Sequence, residues 1–110
     1  MESKNKNYIL KRIKELAQAV LPRNAELLLY GSRARGDNKQ DSDWDMLIIL
    51  DKQNATHEDY DRYAYPLFEL GVELKEFFSL IVYGKGQWER MRFSPFSQNV
   101  TKDNISLMTD

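Results

Sequence analysis

The sequence predicts an α/β (α+β) fold, and three observations carry that expectation. Apolar residues recur at helical spacing near the N-terminus and again after Thr56, nearly continuous apolar runs lie elsewhere, and turn-forming residues separate the two kinds of segment. A chain of 110 residues is expected to form one domain, over residues 1–110, around a modest core. Such a core buries somewhat under roughly 70% of the unfolded surface.

Ile9, Ile13, Leu16, Ala17 and Val20 alternate with Lys11, Lys14, Glu15 and Gln18, the pattern of an amphipathic helix that stops at Leu21, before Pro22. Residues 25–30 are almost continuously apolar and run into Gly31, as in a short strand covered on both faces. Trp44 to Leu50 is a second run of that kind, bounded by an acidic stretch and by Asp51-Lys52-Gln53-Asn54. Thr56 followed by Asp59 has the spacing of a capping box, and Tyr60, Tyr63, Leu67 and Leu70 then share one helical face up to Gly71. Pro66 removes a backbone donor inside that helix and predicts a kink or an early end there. Residues 77–83, aromatic and β-branched and closed by Gly84 and Gly86, read as a third strand, and residues 87–92 as a short helix. Beyond Ser94-Pro95 the periodicity defines no element.

Composition narrows the chemistry. Hydrophobic residues at 42% and charged residues at 30% are those of an ordinary globular chain. There is no cysteine, so disulfides, thiolate metal sites and thiol nucleophiles are excluded, and a reducing compartment is the matching expectation. The first twenty residues are punctuated by charge, unlike a signal peptide, and no run of about 18 apolar residues predicts a membrane span. A cytoplasmic protein is expected. A formal charge of -1 argues against a surface for long nucleic acid and leaves a single nucleotide compatible.

Residues 29–45 read LYGSRARGDNKQDSDWD, with ten residues between Ser32 and Asp43. Residues two apart on a strand project from one face, so Asp43 and Asp45 aim together while Trp44 points into the core. Paired carboxylates repel unless a cation lies between them, and Mg²⁺ takes oxygen ligands from one or two carboxylates plus substrate phosphates. Gly31 and Ser32, where a strand gives way to a helix start, suit a triphosphate tail: glycine permits close approach and serine adds a hydroxyl donor. Arg33 or Arg35 would bring charge-assisted hydrogen bonds. Alone, the aspartates would make a solvated acidic turn and Gly-Ser a capped turn; the fixed distance between them turns both into one metal-and-phosphate site. A P-loop is excluded, because Asp37-Asn38 stands where that motif requires Lys and then Ser or Thr.

Gly-Ser, ten residues and then Asp-x-Asp resembles the signature of the DNA polymerase β nucleotidyltransferase superfamily, and the chain is similar to its minimal members (MNT domains). The match is specific over residues 27–50. The resemblance implies a small mixed sheet with helices packed on it. It also implies transfer of a nucleoside monophosphate from an NTP, ATP first among them, to a hydroxyl acceptor. In such a reaction Mg²⁺ (or Mn²⁺) sits on Asp43 and Asp45, the tail on Gly31 and Ser32, and Arg33 or Arg35 neutralises developing charge. Small members are often encoded beside a HEPN-domain protein, some acting as its antitoxin by modifying it, so the resemblance extends to such a partner. These enzymes carry a third carboxylate on the neighbouring strand, and residues 77–83 contain none. Glu73 and Glu76 lie just before that strand, with Glu76 the better candidate for the catalytic position. A catalytically degenerate module of the same fold, binding nucleotide or a partner, is the alternative.

Other conspicuous residues read plainly. His57 is expected on the exposed start of a helix, Tyr60, Tyr63 and Tyr65 as core and surface aromatics, and the Asn-x-Ser/Thr triplets at Asn54, Asn99 and Asn104 as unmodified.

Overall fold

A computed structural model of the chain describes residues 5–108. Helix α1 (Lys6–Val20) is capped by the Asn5 side chain, which accepts from the Tyr8 N–H, and buries Ile9, Ile13 and Ala17. Strand β1 (Glu26–Tyr30) leads through Gly31 into the single turn α2 (Ser32–Arg35), and β2 (Trp44–Leu50) returns beside it. The continuous helical segment that follows joins α3 (His57–Asp59), a π-helical turn (Tyr60–Ala64) and α4 (Tyr65–Leu74) before β3 (Phe78–Gly84). Helices α5 (Lys85–Arg90) and α6 (Pro95–Lys102) and the short strand β4 (Asn104–Ser106) complete the order.

The strands form one mixed sheet in the order β3-β2-β1-β4. Strand β1 runs antiparallel to both β2 and β4, while β2 and β3 are parallel, as a connection through helices requires. Alternate residues therefore feed two cores. On one face Trp44, Met46, Ile48 and Leu50 pack with Leu27 and Leu29 under α1 and α4. On the other, Leu28, Leu47 and Ile49 meet Val100 of α6, rimmed by Tyr30, Tyr83, Trp88 and Phe96. Among the described residues no helix is long and apolar enough to cross a membrane.

The expected mixed sheet is present, and so are the predicted capping box at Thr56 and the strand Trp44–Leu50. Three local expectations are corrected. Pro66 does not end the helix: the chain widens into the π turn just before it, where the Tyr65 N–H donates to the Tyr60 carbonyl, and this spares the ring a clash with the preceding turn. The helix also continues past Gly71 to Leu74 and stops at Lys75, whose φ is 59°. Gly71 serves packing instead, since a Cβ there would lie 2.8 Å from the Phe78 ring. Finally, α6 and β4 occupy the stretch after Ser94, where no element was expected. The Ser94 hydroxyl caps α6, and three residues suffice for β4 because β1 supplies its partners.

Candidate active site

The site lies at one end of the sheet, where β1 ends and β2 begins. Cross-strand register places Tyr30 opposite Asp45, and Asp45 opposite Ser79 of β3, so these three share a level and a face. Gly31 follows Tyr30 with φ +75°, and an added Cβ would sit 2.7 Å from Asp45 Oδ2. Only glycine leaves room for the carboxylate there, and the positive φ disfavours any other residue. The sheet thus presses the Gly-Ser turn against Asp45.

Asp43 precedes β2 and is exposed, whereas Asp45 is half-buried. Burial first, and the charge of Asp43 second, push the Asp45 carboxyl above its ordinary value, and among the described residues no cation offsets either cause. Tyr30 is pushed up to about 12, chiefly by burial and then by Asp45 and Tyr83, and so stays a neutral phenol beside the carboxylate. Two oxygen-bearing side chains with unrelieved charge fit a hard divalent cation completed by phosphate oxygens. Among the described residues no group of three or more His, Asp or Glu could hold a metal by itself.

In α2 the Ala34 and Arg35 N–H groups donate to the Gly31 carbonyl, and those of Ser32 and Arg33, at the front of the turn, have no acceptor within it. Arg35 is exposed and pairs with Asp37 at 3.1 Å. Gly31, Ser32, Asp43 and Asp45 are therefore brought together, while Arg35, in the same turn as Ser32, is directed to Asp37.

Two expected members are not. Arg33 turns inward and is only 7% exposed; its guanidinium lies 4.5 Å from the Trp44 ring and donates to the Gln40 and Ser42 carbonyls. Glu76 accepts from Trp44 Nε1 at 2.8 Å and faces Arg33 at 3.7 Å. Trp44 points away from Asp45 because adjacent residues on a strand take opposite faces, so Glu76 is drawn to the far side of the sheet. Glu73 lies beyond it, paired with Arg12 of α1 at 2.8 Å. The level beside Asp45 on β3 is held by Ser79. Sequence reasoning did not single out Tyr30, though its place one residue before Gly31 on an antiparallel strand was the available signal.

Fold and site together describe a small α+β protein in which a paired-carboxylate strand faces a glycine–serine turn. The chain belongs to the nucleotidyltransferase domain family, whose model matches residues 7–108. The resemblance drawn from the Gly-Ser and Asp-x-Asp spacing is thereby borne out. In fold it is similar to a protein provisionally assigned as a minimal nucleotidyltransferase, with 23% identity, TM-score 0.63, and coverage of 94% of this chain and 98% of that one. It is also similar to a chain in the crystal structure of a toxin-antitoxin with AMP-PNP, with 18% identity, TM-score 0.61, and coverage of 89% and 71%. No curated protein matches the sequence.

Proposed function

We propose that this chain binds a nucleoside triphosphate, ATP first among them, with Mg²⁺ (or Mn²⁺) between Asp43 and Asp45, and transfers the nucleoside monophosphate to a hydroxyl on a partner protein. The observation that carries this reading is the seating of Asp45 against Gly31, which sets a metal-binding carboxylate beside the turn suited to phosphate. Gly31 and Ser32 hold the tail, with exposed Arg35, on leaving Asp37, as the arginine that reaches it. The metal, when bound, screens the phosphates and stabilises charge on the reacting oxygens. The acceptor oxygen bonds to the α-phosphorus, the bond to the β-phosphate bridge breaks, pyrophosphate leaves, and the hydroxyl proton passes to solvent. A partner of the toxin-antitoxin kind, the HEPN protein implied by resemblance, and a cytoplasmic setting complete the proposal. The likeness to a toxin-antitoxin chain with AMP-PNP supports the first of these.

A second reading, binding with little or no turnover, is favoured by one observation: Glu76 is engaged with Trp44 and Arg33, and Ser79 stands beside Asp45. General-base help is worth roughly 10² to 10⁴ in rate, so its lack separates binding from turnover. Thermal melting and transfer of α-labelled ATP should be measured on one preparation. MgATP at a hundred times its dissociation constant should stabilise the fold by about 2.7 kcal/mol, and excess chelator should reduce the shift. An equal shift in chelator sinks the metal site. Robust transfer that survives Glu76→Gln removes the second reading.

A further inference from the structure

The loop joining α2 to β2 has no regular structure, yet it ends at Asp43, whose direction the site depends on. The residue that immobilises this loop is Arg33. Its Nε donates to the Ser42 carbonyl at 3.3 Å, and one terminal nitrogen donates to the Ser42 and Gln40 carbonyls at 2.9 and 3.0 Å. The guanidinium plane is backed by the Trp44 ring at 4.5 Å and balanced by Glu76 at 3.7 Å, and the Lys6 ammonium donates to the Arg33 carbonyl at 3.1 Å. Three of its five N–H donors are spent on loop carbonyls and its plane on Trp44, which sets this buried charge on the face of the sheet opposite Asp45.

The consequence falls on Asp43. The peptide before it is held through the Ser42 carbonyl by Arg33. The peptide after it is held by the Trp44 N–H, which donates to the Phe77 carbonyl at 2.8 Å. Asp43 is thus fixed from both sides, and the residue that fixes one side is covalently next to Ser32. We propose that Arg33 is a positioning residue, a strut that ties the Gly-Ser turn to the carboxylate pair and keeps Asp43 aimed at the metal site without touching nucleotide. This rests on the nucleotide-and-metal reading above. Only arginine combines a planar face for Trp44 with a fork for two carbonyls; lysine keeps the charge opposite Glu76 and loses the fork.

The test compares wild type, Arg33→Met, Arg33→Lys and Ile13→Val, a core substitution remote from the site that controls for lost stability. Binding of ATP is titrated with Mn²⁺ and again in chelator, and amide exchange of residues 40–44 is followed in the apo protein. Removing a group that orients a metal ligand costs roughly tenfold to a hundredfold in metal affinity. We expect a loss of that size for MnATP in Arg33→Met and a smaller one in Arg33→Lys. Binding of ATP in chelator should be unchanged, exchange at 40–44 faster, and Ile13→Val silent in all three. Equal weakening of ATP in chelator would make Arg33 a phosphate contact and overturn the strut; so would wild-type MnATP affinity in a folded variant. Should Arg33→Met not fold, Arg33→Lys decides by the same criteria. If Asp43→Asn and Asp45→Asn bind MnATP as wild type does, or wild type itself does not bind, the site reading has failed. The strut then stands or falls on amide exchange alone, with unchanged exchange overturning it.

Discussion

The two faces of the sheet differ although the same strand builds both. Toward α1 and α4, β2 presents Trp44, Met46, Ile48 and Leu50, all buried, with an ion pair and a tryptophan hydrogen bond closing the end. Toward α5 and α6 it presents Asp45, Leu47 and Ile49, and that core is smaller and ringed by half-buried aromatics. The first face is organised for stability: its buried cation, Arg33, is bonded, stacked and balanced. The second leaves a carboxylate pair unbalanced at its end, an arrangement that costs stability unless a ligand brings the missing charge. The contrast assigns stability to one side of β2 and, under the proposed function, binding to the other.

The largest expected effect tests the stabilising face. Ile48→Ala removes a wholly buried side chain between α1 and the sheet and should cost about 2–5 kcal/mol in urea unfolding, whereas nucleotide affinity per folded molecule stays unchanged. A loss under about 0.5 kcal/mol, the usual size for a surface substitution, would break the contrast from that side. On the binding face, Ser32→Ala should weaken triphosphate by roughly ten- to a hundredfold, the worth of a hydrogen bond to a charged group at about 1.5–3 kcal/mol, and monophosphate far less. Equal losses for the two nucleotides, measured by calorimetry, would move the tail away from the turn.

The smallest effect sharpens the comparison most. Asp45 has a raised pKa, so the folded state holds its proton more tightly than the unfolded chain, and its contribution is favourable at low pH. That contribution is lost as pH rises from the ordinary value of 3.8 through the raised folded value. Asp45→Asn should therefore leave the apo protein as stable or slightly more stable at neutral pH, with the advantage shrinking toward pH 3.8. A large loss at neutral pH would mark Asp45 as structural and erase the distinction between the faces.

Much of the fold was legible because its signals are local. The helical period from Ile9 to Ala17, the Thr56–Asp59 capping box and the apolar run Trp44–Leu50 each state their structure within a few residues, and the structure agrees. Helix α6 and strand β4 were not legible. The first is held by one serine cap and a buried Val100, and the second exists only because β1 has an edge to pair with. Pro66 misled for a related reason: its local cost is real, and a π turn absorbs it while Leu67 and Leu70 keep the helix on the core.

The candidate site divides along the same line. Chain order alone determined that Gly31, Ser32, Asp43 and Asp45 lie together at one end of the sheet, because a strand turning back after ten residues and the two-residue period of β2 leave them little choice. Which charges join them was decided by tertiary structure. Arg33 and Arg35 are two residues apart in a single helical turn and so point in different directions, one onto Trp44 and the other into solvent. Glu76 lies before β3, where Ser79 is the residue level with Asp45, and the hydrogen bond offered by Trp44 Nε1 and the charge of Arg33 hold it on the other face. A buried donor and a buried cation must be satisfied where packing puts them, and no pattern in the chain announces which carboxylate will do so.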